Sequence, residues 1–307
     1  VKKNENQESL FKIKKIVIIN KKDINMNKFI NIGIIVSITL LAGVVAYNVT
    51  HKSNKNTSSQ NETISQVNGV STSENCDNQF LNGVRPVIEN KNLKEQTREL
   101  CFKGFAVLHS GIVRSPLYAV ENLTKERVDG AKAIKREDAF HEELRLPENE
   151  RGTLKDYAGS GYDRGHLAPS DDMSDMKMQE ESFSLANMVM QDPKNNRVLH
   201  VGIEKEVRKL AEKNGNVYVA TGIAFTEPNI EKKGNVMVPH YIWKAVYIPK
   251  SKQASAYWEK NDASFQYEII SMKELKTRTG IDVFPKITDE EKNTVVNLPT
   301  PKSRKIK

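Results

Sequence analysis

The stretch Tyr157–Met173, YAGSGYDRGHLAPSDDM, and the stretch Ser182–Ala211, SFSLANMVMQDPKNNRVLHVGIEKEVRKLA, decide how this chain is read. The first sets Asp163, Arg164 and His166 around a single glycine, Gly165, which lets the backbone approach a neighbour closely. A histidine presented this way is a candidate general base, because neutral imidazole takes a proton from water near neutral pH. A loop histidine held by a neighbouring carboxylate is the alternative that the four residues leave open.

In the second stretch, Asn187, Asn195 and Asn196 precede a helical stripe of Ile203, Val207, Leu210 and Ala211, with charges on the other face. Glu204 and Arg208 lie on that helix, and Glu204 follows Asn196 by about two turns, ~12 Å along the axis. Amide oxygens with a distant carboxylate make a poor all-protein metal cage. They suit Mg²⁺, which gives up water reluctantly and needs few direct protein ligands. For Asn195 a second role stays open, capping the helix and forming the turn after Asp192-Pro193.

Outward from these stretches, Cys76 to about Pro285 contains no second linker, repeat or low-complexity run, and reads as one domain. Phe102–His109 and Leu117–Val120, around a Ser115-Pro116 break, are predicted strands, as are Val217–Thr221, Val236–Val238 and Ile242–Ile248. Strands, an inserted helix and more strands predict an α+β domain on a central antiparallel sheet with flanking helices. The residues after Phe284 are charged, and 288–307 is expected to be a frayed tail.

Cys76 and Cys101 are the only cysteines. In an exported chain such a pair favours a disulfide over a metal site or a nucleophile, with two buried free thiols as the alternative.

Export is the expectation at the other end. Phe29–Tyr47, FINIGIIVSITLLAGVVAY, is apolar and uncharged, long enough at ~1.5 Å per residue to cross a hydrocarbon core of about 30 Å. Met26-Asn27-Lys28 before it and Val44-Val45-Ala46 at its end fit a cleaved signal peptide over 26–47. An uncleaved membrane anchor through 29–47 is the competing reading. Either way the following domain is exported, to a periplasmic, secreted or membrane-anchored location, because upstream basic residues stay on the cytoplasmic side. Residues 1–25 read as an upstream extension that is not part of the fold. Asn48–Asn75 is rich in Ser, Thr and Asn, without an aromatic residue, and reads as a disordered linker.

The 307 residues carry 47 Lys+Arg against 39 Asp+Glu, and that excess is confined to the ends. Residues 1–60 hold 10 basic and 3 acidic groups and 301–307 hold 4 and none, leaving 33 basic and 36 acidic between. The overall field of the central region is therefore no argument for phosphate attraction, although local patches can supply it. Scarce Gly and Cys and a mean hydropathy of −0.57 exclude collagen-like, disulfide-dense and polytopic membrane classes.

Taken together, Asp163-Arg164-Gly165-His166 with Asn187, Asn196, Glu204 and Arg208 resembles the non-specific DNA/RNA endonuclease family. That family has the ββα-metal fold and includes endonuclease G and secreted bacterial nucleases. The resemblance continues in family order through His109–Thr124, KREDAF (Lys135–Phe140), VATGIAF (Val219–Phe225), VPHYIWKAVY (Val238–Tyr247) and TGIDVFP (Thr279–Pro285). It covers about Cys76–Ile287, so 76–287 is the expected nuclease domain.

The resemblance implies His166 as general base, Asn196 as the one direct Mg²⁺ ligand, with Mn²⁺ able to substitute, and Glu204 holding metal-bound water. It implies Arg136 at the scissile phosphate, Asn187 arranging the site, Arg164 and Arg208 in support, and Asp163 orienting the loop. The implied reaction is hydrolysis of DNA and RNA to 5′-phosphate ends. A homodimer and a protective inhibitor protein are further partners such an enzyme could have. Two positions depart from the pattern: Met190-Gln191 stands where the family has Pro-Gln, and His200 where it has Trp. Both are read as changes in packing around the metal helix. The competing functions are a phosphodiesterase of small nucleotides and an exported nucleic-acid-binding or DNA-uptake protein with an inactive nuclease fold.

Overall fold

The computed structural model describes residues 75–302. The apolar run Phe29–Tyr47, the linker and the upstream extension lie outside the described residues, and within them no helix is long and apolar enough to cross a membrane.

The strands in chain order are β1 (Val87–Ile88), β2 (Thr97–Cys101), β3 (Ala106–Ser110), β4 (Ser115–Thr124), β5 (Asp163–His166), β6 (Met188–Gln191) and β7 (Asn216–Ala224). After them come β8 (Lys232–Lys233), β9 (Val236–Met237), β10 (Tyr241–Ile248), β11 (Gln253–Lys260), β12 (Tyr267–Ile270) and β13 (Ile281–Asp282). Seven form one antiparallel sheet in the order β12-β11-β10-β7-β4-β3-β2. The predicted α+β class is the observed one.

Pairing refines two predicted strands. Phe102–Phe105 is the turn of the β2–β3 hairpin, where Phe102 N–H donates to Phe105 C=O at 2.9 Å and the two rings stack. Pro116 lies inside β4, opposite His109, beside a shift in the β3–β4 register, so the missing N–H falls where the ladder is irregular.

Registers place Val219, Thr221, Lys244, Val246, Ser255, Tyr257 and Glu259 on one face of the sheet. The helix Val201–Asn214 packs there, burying Ile203, Val207 and Ala211 with Leu123, Val217, Val219, Val246, Ile248 and Tyr257. Full burial of such an aliphatic side chain contributes roughly 1.5–3 kcal/mol. The opposite face presents Trp243, Ala245 and Tyr247. The helix Met272–Thr279 covers it through Leu275, with Arg278 over the Trp258 ring at 5.0 Å and Phe284 against Tyr247.

Cys76 and Cys101 form a disulfide with Cα atoms 5.7 Å apart. It closes a 25-residue separation, which corresponds to roughly 3 kcal/mol of lost unfolded-chain entropy.

The expected frayed tail is corrected in part. Thr288–Lys302 continues the fold: Asp289–Asn293 is a capped helix, Leu298 is buried, and the Tyr257 hydroxyl donates to Pro299 C=O at 2.7 Å. Charge along this stretch hid a single buried anchor, Leu298, too isolated to form a hydrophobic run.

Candidate active site

β5 and β6 pair antiparallel, with Asp163 opposite Gln191 and His166 opposite Met188. The chain then turns at Asp192-Pro193 and enters a helical segment, Asn195–His200 wound wider than an α-helix and Val201–Asn214 regular. Asp192 supplies the cap: its Oδ1 accepts the backbone N–H groups of Lys194 at 2.8 Å and Asn195 at 3.0 Å. Asn195 does not cap. Its buried amide donates to Lys260 C=O and Glu259 and accepts from Gln191. Two strands and this helix are the local unit that places His166 and Asn196 together.

Gly165 is required by that packing. A Cβ there would lie 2.0 Å from Gln191 Oε1 and 2.7 Å from Gln191 Cβ.

One cleft of about 710 Å³ is lined by His166, Asn196, Glu204, Arg136, Arg164 and Asp163. The imidazole and the carboxamide therefore share a cavity, as the sequence motif requires. His166 sits between the rings of Phe140 and Phe183, at 5.8 and 5.0 Å, and its Nε2 is buried without a hydrogen-bond partner in the fold. Burial above all, then the positive charges of Arg136, His200 and Arg164, lowers its pKa from 6.5 to about 3. The ring is neutral at ordinary pH, with no described residue bonding Nε2.

The Asp163 carboxylate can only accept, so the Asn196 amide turns its Nδ2 toward Asp163 Oδ2, at 2.9 Å, and leaves Oδ1 free of protein donors. Arg197 holds the same carboxylate in a two-pronged contact at 2.6 and 2.8 Å. Glu204 is nearly buried; desolvation raises its pKa, opposed first by His200 and then by Lys244 and Arg208.

Arg136 is half exposed, steered by Asp138 and by the Ser170 hydroxyl at 2.8 and 3.0 Å. Arg164 stacks on Phe140 at 3.9 Å. Both present guanidinium groups to the cleft.

Two expected site residues lie behind the cleft wall. Asn187 is fully buried and spent on the backbone: it accepts from Ala168 N and donates to Ala168 C=O and Ser182 C=O at 2.9–3.0 Å. It thereby ties down the chain just after His166. Arg208 pairs with Asp172 at 2.7 Å and supports Glu204 electrostatically.

Sequence reasoning missed a buried polar row beneath the cleft: Thr221 and Lys244, which bond each other at 2.5 Å, and Glu259 beside them on the same sheet face. A signal exists for Lys244, which interrupts the otherwise apolar and aromatic strand Tyr241–Ile248, and none for Glu259, whose strand is half polar.

No group of three His, Cys, Asp or Glu gathers as a metal cage among the described residues. One free amide oxygen and one nearly buried carboxylate facing a polar cleft fit a hard, oxygen-seeking ion that keeps most of its water.

The β5–β6 pair, the helix after it and the cleft between them define a ββα-metal nuclease fold. The chain belongs to the DNA/RNA non-specific endonuclease family, whose model matches residues 83–290. It is 27% identical over 213 residues to the mitochondrial nuclease EXOG of Homo sapiens, covering 62% of this chain and 57% of that protein. It is 32% identical over 186 residues to nuclease C1 of Cunninghamella echinulata var. echinulata, covering 56% and 71%. It is 33% identical over 141 residues to human mitochondrial endonuclease G, covering 46% and 47%. A solved EndoG/EndoGI complex is similar in fold, with a TM-score of 0.54 and 23% identity over 63% of this chain and 88% of that one.

Proposed function

We propose that this protein is an exported, Mg²⁺-dependent endonuclease that hydrolyses DNA and RNA without sequence preference, leaving 5′-phosphate and 3′-hydroxyl ends. The observation that carries the reading is the shared cleft, lined both by His166, a neutral ring whose Nε2 is unengaged among the described residues, and by Asn196.

His166 takes a proton from a water that attacks phosphorus in line with the departing 3′ oxygen. Arg136 binds the phosphate and offsets charge in the transition state, with Arg164 beside it. Asn196 would hold the ion through its amide oxygen, and Glu204 would hold the water bound to it. The bound ion supplies Lewis-acid stabilisation of the leaving oxygen. Contacts confined to the backbone phosphate carry no sequence information, which supports cleavage of both polymers.

Export rests on the apolar run Phe29–Tyr47 and its basic flank, as a cleaved signal or an anchor. A homodimer and a protein inhibitor belong to the same proposal, the latter because the similar EndoG structure is a complex with EndoGI.

The test is digestion of plasmid, single-stranded DNA and RNA with Mg²⁺, with Mn²⁺ and with a chelator. Cleavage of all three that the chelator abolishes is expected. Binding without products would favour a capture protein, and cleavage of small nucleotide diesters alone a different phosphodiesterase.

A further inference from the structure

Glu259 projects from β11 into the protein beneath the cleft and is fully buried. A buried carboxylate must be hydrogen-bonded, and both oxygens are. Oε1 meets His200 Nδ1 at 2.5 Å and Oε2 accepts from Asn195 Nδ2 at 3.3 Å. The first contact fixes the ring: a carboxylate accepts, so Nδ1 carries the proton. The other ring nitrogen, Nε2, is buried with no hydrogen-bond partner among the described residues, and Glu204 Oε1 lies 3.5 Å from it. Among the described residues His200 is the one basic side chain within 4.0 Å of the Glu204 carboxylate.

The second oxygen of Glu259 leads to the other half of the site. Asn195, which it holds, also accepts from Gln191 at 2.6 Å, and Gln191 packs on Gly165 next to His166. Asn195 immediately precedes Asn196. One sheet residue thus braces both the residue facing Glu204 and the residue preceding the metal-binding amide.

We propose that Glu259 and His200 are positioning residues, a strut from the sheet in which Glu259 orients the His200 ring through Nδ1–H and the ring, set against Glu204, holds that carboxylate toward the cleft. The strut rests on the reading of Glu204 given above and adds to it two residues that the linear motif does not contain. Burial lowers the ring's pKa, and the negative charges of Glu259 and then Glu204 raise it, with a net rise. A ring that only fills space would need neither contact.

The experiment uses the full chain and the variants His200→Gln, Glu259→Gln and Glu204→Gln, singly and as the His200→Gln/Glu204→Gln pair. Side-chain ¹⁵N NMR reads the ring, Mn²⁺ titration of metal-free protein followed by electron paramagnetic resonance reads the site, and plasmid cleavage reads kcat and KM. In the wild type Nδ1 of His200 should carry a proton held by Glu259, and Glu204→Gln should shift the Nε2 resonance. His200→Gln should weaken Mn²⁺ binding roughly 10-fold, in the range of lost outer contacts at metal sites, and lower kcat with KM little changed. The double variant should be no worse than Glu204→Gln alone, because one removes what the other acts through.

The strut is overturned by an Nε2 resonance indifferent to Glu204→Gln, by unchanged Mn²⁺ affinity in His200→Gln, or by losses that multiply in the double variant. Should the His200 variants not fold, the ¹⁵N comparison of wild type with Glu204→Gln decides alone. Absence of cleavage by the wild type would defeat the nuclease reading, while the ¹⁵N and Mn²⁺ measurements would still judge the strut.

Discussion

The Asp163 carboxylate accepts Asn196 Nδ2–H at 2.9 Å, and this one hydrogen bond determines which end of the Asn196 amide faces the cleft. Arg197 fixes the carboxylate in turn, so the orientation is set before any ion arrives. In Asp163→Asn the new amide can donate as well as accept, and the preference is lost. We expect metal affinity to fall by about 10–100-fold, with little change in Tm. Calorimetric titration of the metal-free variant with Mn²⁺ checks this, and wild-type affinity would refute the orienting role.

His166→Ala should lower kcat by about 10²–10⁴. Because Nε2 is buried without a partner, its removal leaves no new unsatisfied group, and Tm should not fall for that reason. A variant that is inactive and also unfolded would mean that the ring is structural.

Arg136 is the first electrostatic contributor, after burial, to the lowered pKa of His166. A base must be neutral to act, so kcat/KM in the wild type should keep its His166-dependent acid limb well below pH 6.5. Arg136→Ala removes a repelling positive charge, raises the ring's pKa and moves that limb upward toward 6.5, besides weakening substrate binding. A pH profile of kcat/KM for both proteins measures the shift, and a limb that stays in place or moves down contradicts the assignment.

Gly165→Ala tests the close approach of β5 to Gln191. The added Cβ would overlap a side chain that is itself buried and bonded to Asn195. A cost of about 1–3 kcal/mol is expected from such overpacking. Displacement of His166 should reduce kcat by more than the stability loss explains. Thermal denaturation and turnover measured on the same preparation separate the two effects.

Acid should destabilise the fold through its neutral buried histidines. Burial lowers the pKa of His109 to about 4, and its Nε2 bonds Glu150 C=O at 2.9 Å. Above pH 6.5 the ring is neutral in folded and unfolded chains and contributes no pH dependence. Between 6.5 and about 4 only the unfolded chain takes the proton, so stability falls with pH across that window, by up to about 3 kcal/mol. Denaturant midpoints at pH 7 and pH 5 should differ less in His109→Gln than in the wild type.

Much of the site was legible because it is written in short stretches. The Asp163–His166 string fell on one strand, and the stripe Ile203, Val207, Ala211 on one helix, where local spacing dictates which side chains share a face. Arg136 was reached only through the resemblance of its segment, since nothing in its spacing from His166 says that it lies at the same cleft. Lys244 was read merely as a strand residue, and Glu259 was not singled out at all. Their meaning depends on registers with partners far away in the chain, which no local periodicity encodes.

By itself, then, the sequence determined the periodic elements, the order of the family segments, the cysteine pair and the groups able to hold a proton or an ion. Those follow from covalent neighbours and side-chain chemistry. Only the tertiary structure decided that Asn187 and Arg208 stand behind the cleft wall, that Asp163 orients Asn196, and that Leu298 closes the core. Hydrogen bonds and burial in a low-dielectric interior depend on which strand lies beside which, and sheet register across distant segments is settled by the whole fold.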